Sequence, residues 1–290
     1  MNTDLPARLK TALILIGVLL FVGVSSLYWC FFHWLLLDIA ILVVVLSCSE
    51  YVAFSNPEQS AFKKILLTAF YCIPTIAVAY GVSILGVCDS IGLSAALVEL
   101  LVIGFALAFS IAALLSLRNA TLGVSEILRA FGEQVVALVF LGFCAAFLPI
   151  LASEPGAFKS IAWFITVVAA NDSIAYFAGR KFGKHPVALM VSPKKTFEGS
   201  ITGLLGGALV GGLLALWLLS EFTFFDGVLF SLILGVASQM GDLIKSLLKR
   251  VHNTKDSGTI LPGHGGILDR VDGLIGAAPL FFLLREWFIG

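Results

Sequence analysis

Charge is what this chain has least of. It carries eighteen Lys or Arg and eighteen Asp or Glu in 290 residues, 12% of the chain, whereas a soluble domain holds about 25%. With 59% apolar residues and a mean hydropathy of +1.04, that scarcity excludes disorder and an ordinary soluble enzyme. The two signs cancel to a net charge of zero, so the excess of positive charge that draws a protein to nucleic acid is missing and none is expected as a partner. Cysteine is also sparse. Cys30, Cys48, Cys72, Cys88 and Cys144 are scattered without CxxC spacing, which argues against a zinc site or disulfides and for small buried apolar side chains. Room for a large soluble domain is lacking too, because a spanning helix needs about 20 apolar residues and nine spans would leave only about 110 positions for loops.

What the chain does have is a series of long apolar runs. They predict an all-α integral membrane protein of about nine transmembrane helices, at 11–28, 31–53, 65–86, 93–116, 135–152, 159–179, 200–220, 228–247 and 273–289. Arg8 and Lys10 before the first run could open a signal peptide, but no small-x-small cleavage site follows and the apolar sequence continues, so it reads as a first span. Breaks at Asn56-Pro57, Cys88-Asp89-Ser90, Glu154-Pro155-Gly156 and 221–227 separate the runs. Basic residues stay cytoplasmic; with the N-terminus inside, sixteen of the eighteen fall on that side and only Lys159 and Arg285 on the other. Adding or dropping a helix would flip everything after it, so the split supports the count. It leaves the C-terminus outside, with Trp287 as an interfacial anchor.

Two cytoplasmic loops, 180–199 and 248–272, hold nine of the eighteen basic residues and His185, His252 and His264. Function is expected there. Carboxylates inside a bilayer are costly and each needs a reason. Asp172, in Asn171-Asp172-Ser173 of helix six, and Asp242, in Ser238-Gln239-Met240-Gly241-Asp242 of helix eight, both fall in the cytoplasmic third of their spans, where a structural pairing with Lys or Arg is the competing explanation. Asp38, Glu50 and Glu99 are further candidates, but the unremarkable loops beside them favour a structural role.

Asp269 and Asp272 stand three apart at the start of helix nine, which puts both on one face of its first turn. With Asp242 they form three acids on the ends of two helices joined by one loop, a set able to bind Mg²⁺ together with substrate phosphates. The helix dipole alone would favour one Asp there. Asp242, Lys245 and Lys249 share a stripe, and basic groups beside metal-binding acids suit a polyphosphate, although Lys245 could equally snorkel to the lipid surface. Pro262-Gly263-His264-Gly265-Gly266 lets backbone N–H groups approach an anion closely, between Lys255-Asp256 and Asp269-Arg270. In the other loop Lys194, Lys195 and Thr196 are candidate phosphate binders and Ser192-Pro193 a turn leading into helix seven, while Arg180, Lys181 and Lys184 read as topology anchors. Gly207 and Gly211 form a GxxxG element for close helix packing.

The run from Ser246 to Asp272 resembles the signature of the phosphatidate cytidylyltransferase, or CDP-diacylglycerol synthase, family. The likeness holds at Ser246, Lys249-Arg250, Lys255-Asp256, Gly258, Pro262, His264-Gly265-Gly266, Asp269-Arg270 and Asp272. Asp172 to Gly179, Ser192 to Thr196 with Glu198-Gly199, and Ser238-Gln239 with Gly241-Asp242 add to it; it is strong over 171–273 and thin before, and Lys245 and Gly273 depart from it.

The resemblance implies transfer of CMP from CTP to phosphatidic acid, giving CDP-diacylglycerol and pyrophosphate, with Mg²⁺ and room for a second cation. In that family's terms Asp242 and Asp269 would hold the metal, supported by Asp272 and Asp256, while Lys249, Arg250, Lys255 and Arg270 neutralise phosphates. Lys194 and Lys195, with Ser192, Thr196, Gly265, Gly266 and Asp172 around the substrates, would close over nucleotide or lipid head group, and His264 would donate to a phosphate. The expected setting is a bacterial inner membrane with a cytoplasm-facing polar site. Residues 1–134 would form the first four helices and following loop, and 135–290 the helices carrying the site; membrane lipids and a second copy of the chain, in a homodimer, are the candidate partners. The rival readings are a CTP-dependent lipid kinase, which would release CDP, and a transporter, which would be expected to show repeated or broken helices in both halves.

Overall fold

The structure, a computed structural model, describes residues 30–85, 93–117, 123–154, 157–255, 257–258 and 265–289, with the single positions 17, 21 and 25. Apart from those three positions, the expected first span at 11–28 lies outside the described residues, as do Asp256, Pro262 and His264. The helices are α1 (Cys30–Ser55), α2 (Ala61–Tyr71), α3 (Ile73–Leu85), α4 (Leu93–Leu117), α5 (Val124–Ala137), α6 (Phe147–Ser153), α7 (Ala157–Phe182), α8 (Phe197–Leu218), α9 (Phe224–Val251) and α10 (Leu268–Ile289). A π-helical stretch, Leu138–Cys144, joins α5 to α6, and a hairpin of β1 (Pro186–Ala188) and β2 (Ser192–Thr196) joins α7 to α8.

Among the described residues six helical stretches are long and apolar enough to cross a membrane, or seven if the bent pair α2 and α3 is one span. Three local readings change. The expected third span bends by 60° where α2 meets α3. Pro74, in the first turn of α3, has no N–H to continue the ladder from α2. The fifth helical stretch starts at Val124, not 135, because Glu126, Arg129 and Glu133 line one side of a helix whose hydropathy is therefore low although its backbone is continuous. Ser192-Pro193 is not a turn but the start of β2, with Ser192 opposite Ala188 and Thr196 opposite Pro186. In a two-stranded ribbon both strands are edges, where a proline's missing N–H costs no ladder bond.

The chain divides into two units, Met1–Pro155 with His252–Asp269, and Gly156–Val251 with Arg270–Gly290. In the first, α1 packs on α6 and α2, and α4 on α3 and α5. Its interior holds Val44, Cys48, Tyr51, Leu97, Leu101, Leu138 and Leu141, with Tyr51 and Tyr71 edge to face at 5.2 Å.

In the second unit α8 packs against both α7 and α9. Gly199, Gly203, Gly207 and Gly211 recur every four residues along α8. A Cβ on Gly203 would lie 2.7 Å from the Asn171 carbonyl oxygen, and one on Gly207 3.1 Å from Asn171 Cβ, so only glycine lets the two helices touch. On its other side α8 exposes Leu205, Leu209, Leu213 and Leu216. Such a helix keeps its small residues for a neighbour and its large apolar ones for lipid. At the end of this unit remote from the hairpin, Trp163 donates from Nε1 to the Gly211 carbonyl at 2.8 Å, and Phe164 stacks on Phe281 at 4.6 Å.

Candidate active site

In the second unit α9 and α10 cross backbone on backbone, since a Cβ on Gly276 would lie 2.7 Å from Gly241 Cα. That approach brings Asp242, next to Gly241, towards Asp272, one turn before Gly276. Lys245, one turn after Asp242, reaches both: its Nζ is 2.9 Å from Asp242 Oδ1 and also touches Asp272 Oδ2. From β2, Lys195 Nζ lies 2.6 Å from Asp242 Oδ2 and donates to the Gln239 carbonyl at 3.4 Å. The result is a row of alternating charge, Lys195, Asp242, Lys245, Asp272.

The row has a buried and an open end. Side-chain exposure is 8% and 9% at Lys245 and Asp272, against 25% and 29% at Lys195 and Asp242. Charges this far from water persist only when matched by opposite charge and hydrogen bonds; Asp272 Oδ1 also accepts the Gly273 N–H at 2.8 Å. Lys245 is therefore a buried ion-pair partner and not a snorkelling surface lysine.

Neutral side chains brace the row. Gln239 donates from Nε2 to Asn171 Oδ1 at 3.2 Å and to the Ser200 carbonyl at 3.1 Å, tying α9 to α7 and α8. Asn171 in turn donates to Asp172 Oδ1 at 3.1 Å. Gly273 lies against Ser238 Oγ, and a Cβ there would stand 3.2 Å from Val168 Cγ1, which gives this departure from the family pattern a packing cause.

The hairpin holds Lys195 in place. Thr196 is engaged as the N-cap of α8, accepting the Gly199 N–H at 3.3 Å, and packs against Gly179 and Gly183 of the preceding helix and its end. Glu198 accepts the N–H groups of Lys184 and His185 at 3.0 and 3.2 Å and meets His185 Nδ1 at 2.6 Å. Arg250 Nε donates to the Val191 carbonyl at 3.2 Å, fixing the hairpin tip to α9. Ser192 opens β2, Lys194 and Arg270 are exposed, and Lys249 is half-buried along α9.

The remaining expected site residues belong to the first unit. Asp269 Oδ2 accepts Ser257 N–H at 3.0 Å and Ser257 Oγ–H at 2.8 Å. Gly265 has φ of +80°, which favours glycine; Gly266 is buried and Lys255 exposed. Glu50, on α1, accepts the N–H groups of Ile267 and Leu268 at 2.8 and 2.9 Å. His252 Nε2 meets Glu133 Oε1 at 2.5 Å beside Tyr51 and Phe54. Among the described residues no three His, Cys, Asp or Glu side chains converge with the spacing of a metal cage. Sequence reasoning gave Glu133 no role; its only signal was a carboxylate in a helix that runs on into apolar sequence.

Known proteins are similar to about half of this chain. The phosphatidate cytidylyltransferase of Brucella abortus (strain 2308) is 42% identical over 158 residues, 54% of this chain and 58% of the relative. That of Bacillus subtilis (strain 168) is 37% identical over 158 residues, 54% of this chain and 59% of the relative. That of Thermotoga maritima is 34% identical over 168 residues, 55% of this chain and 61% of the relative. In each case the chain spans less than two thirds of the relative's length. The sequence model of the Cytidylyltransferase family, by contrast, matches residues 6–288, nearly the whole chain, and on that extent the chain belongs to the cytidylyltransferase family.

Proposed function

We propose that the protein transfers CMP from CTP to phosphatidic acid, releasing pyrophosphate and leaving CDP-diacylglycerol in the membrane. The observation that carries this reading is the row Lys195–Asp242–Lys245–Asp272, where two cations and two carboxylates stand in contact at the ends of apolar helices. Membership of the family, and relatives that bear the name of this activity, support it.

In the reaction a phosphate oxygen of phosphatidic acid attacks the α-phosphorus of CTP, a new P–O bond forms, and the bond from the α-phosphorus to the bridging oxygen breaks as pyrophosphate leaves. The lipid phosphate is already anionic at neutral pH, so no nucleophile has to be generated. What the protein must do is position two anions against each other and offset their charge. Lys195, at the open end, is suited to draw in phosphate oxygens. Lys245 holds Asp242 and Asp272 at a fixed spacing and contributes positive potential from below.

The carboxylate chemistry of Asp242 and Asp272 fits a hard cation, which binds through one or two carboxylates plus substrate phosphates. These two residues would hold Mg²⁺, and bound there it would supply charge neutralisation of the phosphate oxygens. Asp269, whose carboxylate is held by Ser257 in the first unit, remains a candidate metal ligand on sequence grounds alone. The finer membrane arrangement belongs to the same proposal: nine spans in a bacterial inner membrane, the N-terminus and charged row cytoplasmic.

The test is CTP labelled either in the α- or the γ-phosphate, supplied with phosphatidic acid and Mg²⁺ to the purified full chain. A cytidylyltransferase moves α-label into lipid and γ-label into pyrophosphate. Label from the γ-position in lipid would make it a kinase instead.

A further inference from the structure

We propose that Glu50 is a positioning residue for the two ends of the signature loop, the segments 257–258 and 265–268, acting from a helix that carries none of the signature. The proposal rests on the cytidylyltransferase reading for its catalytic consequence, and on geometry alone for the anchoring.

Glu50 lies on α1 and is only 3% exposed. Both of its oxygens are used on backbone: Oε1 accepts Ile267 N–H at 2.8 Å and Oε2 accepts Leu268 N–H at 2.9 Å. These are amides at the start of α10, where a helix leaves N–H groups without internal partners and where its dipole favours negative charge. A carboxylate from a distant helix is here the cap of α10. On the incoming side of the loop, Ser257 Oγ stands 3.3 Å from Glu50 Oε2 and 2.8 Å from Asp269 Oδ2, so the hydroxyl lies between the two acids.

The glycines of the signature give an independent sign of the same contact. A Cβ on Gly258 would lie 2.8 Å from Glu50 Oε1 and 3.0 Å from its Cδ; one on Gly266 would lie 2.8 Å from Cδ and press on Oε2 and on Ser257 Oγ. Both positions must be glycine because the Glu50 carboxylate fills the space a methyl would take. The side chain has a firm base, since its neighbours Cys48, Tyr51 and Val52 are themselves buried. One carboxylate thus gathers both ends of the loop and, through Ser257, bears on Asp269.

The experiment uses the full chain in detergent, with hydrogen exchange of the 265–270 segment and steady-state kinetics read side by side. Glu50→Gln keeps the shape but turns one acceptor into a donor facing an N–H. Exchange in 265–270 should rise about tenfold or more, exchange in 197–218 should stay unchanged, and kcat should fall about 10- to 100-fold. Unchanged exchange in 265–270 overturns the anchoring. Faster exchange with unchanged kcat in an active preparation overturns the positioning role. A wild-type chain inactive on CTP and phosphatidic acid defeats the functional reading, while the exchange result still decides the anchor.

A size-swap pair covers the case in which Glu50→Gln does not fold. Gly258→Ala alone should lower kcat, and adding Glu50→Asp, which withdraws the carboxylate by one methylene, should recover part of that loss. Strictly additive effects of the two changes would overturn the contact.

Discussion

Two regions of this protein bury carboxylates, and they satisfy them by different means. In the second unit Asp242 and Asp272 are met by the ammonium groups of Lys195 and Lys245. In the first, Glu50 is met by backbone N–H groups of Ile267 and Leu268, and Asp269 by the N–H and hydroxyl of Ser257. The difference separates two jobs. An ammonium on a long flexible stem can leave its carboxylate for a phosphate, and the carboxylate can then take a cation, so an ion-pair row can open to a charged ligand. Amides fixed in a chain cannot leave, so a carboxylate they hold gives shape. On the proposed function, ligand binding falls to the carboxylates held by lysines and shape to Glu50, held by amides.

The comparison can be broken at its most buried ion pair. Lys245→Met keeps volume but leaves two carboxylates without their shared cation, which should cost about 3–5 kcal/mol of stability, read as a fall in the thermal midpoint in detergent. A variant as stable as the parent would mean that the row is not held by charge. Lys195→Ala acts at the open end, where pairs add little to stability. It should leave the unfolding free energy within about 1 kcal/mol of wild type and lower the cytidylyltransfer rate about 10- to 100-fold. Equal losses of stability and rate would erase the distinction between binding and shaping.

Ser257→Ala removes one of the two hydrogen bonds that Ser257 donates to Asp269 and should cost about 1 kcal/mol in chemical or thermal unfolding. The smallest effect is expected at the end of α9 opposite the charged row, where Thr223 and Asp226 form a capping box at the start of the helix, with Asp226 Oδ2 2.9 Å from Thr223 N. Thr223→Ala should cost about 0.5–1 kcal/mol and leave kcat unaltered, which marks the size of a purely structural change.

How much of this could be read from residues alone follows the same division. That the chain is helical with several apolar helices long enough to cross a membrane was legible because apolar length is set by bilayer thickness, and Gly241-Asp242, Lys195 and Asp272 stood out because charge in an apolar chain is conspicuous. Glu50 stood out as well, but its loops gave it no context; its partners are backbone amides, which every residue has and no composition reveals. The early start of α5 was hidden because its polar face lowers the mean hydropathy. The β1–β2 hairpin was hidden because Ser192-Pro193 suits a turn as well as an edge strand. Lys245, a departure from the family pattern, was ambiguous until its two carboxylates were seen on either side of it.

The most direct test of the charged row as the reacting centre is the rate of α-label transfer from CTP to lipid, measured against Mg²⁺ concentration for wild type and Asp242→Asn. The substitution keeps shape and removes one charge from the middle of the row. It should lower the maximal rate about 10²- to 10³-fold, and more Mg²⁺ should be needed for half-maximal activity. Near-normal rate with unchanged Mg²⁺ dependence would contradict the account and reduce Asp242 to a structural partner of Lys195 and Lys245.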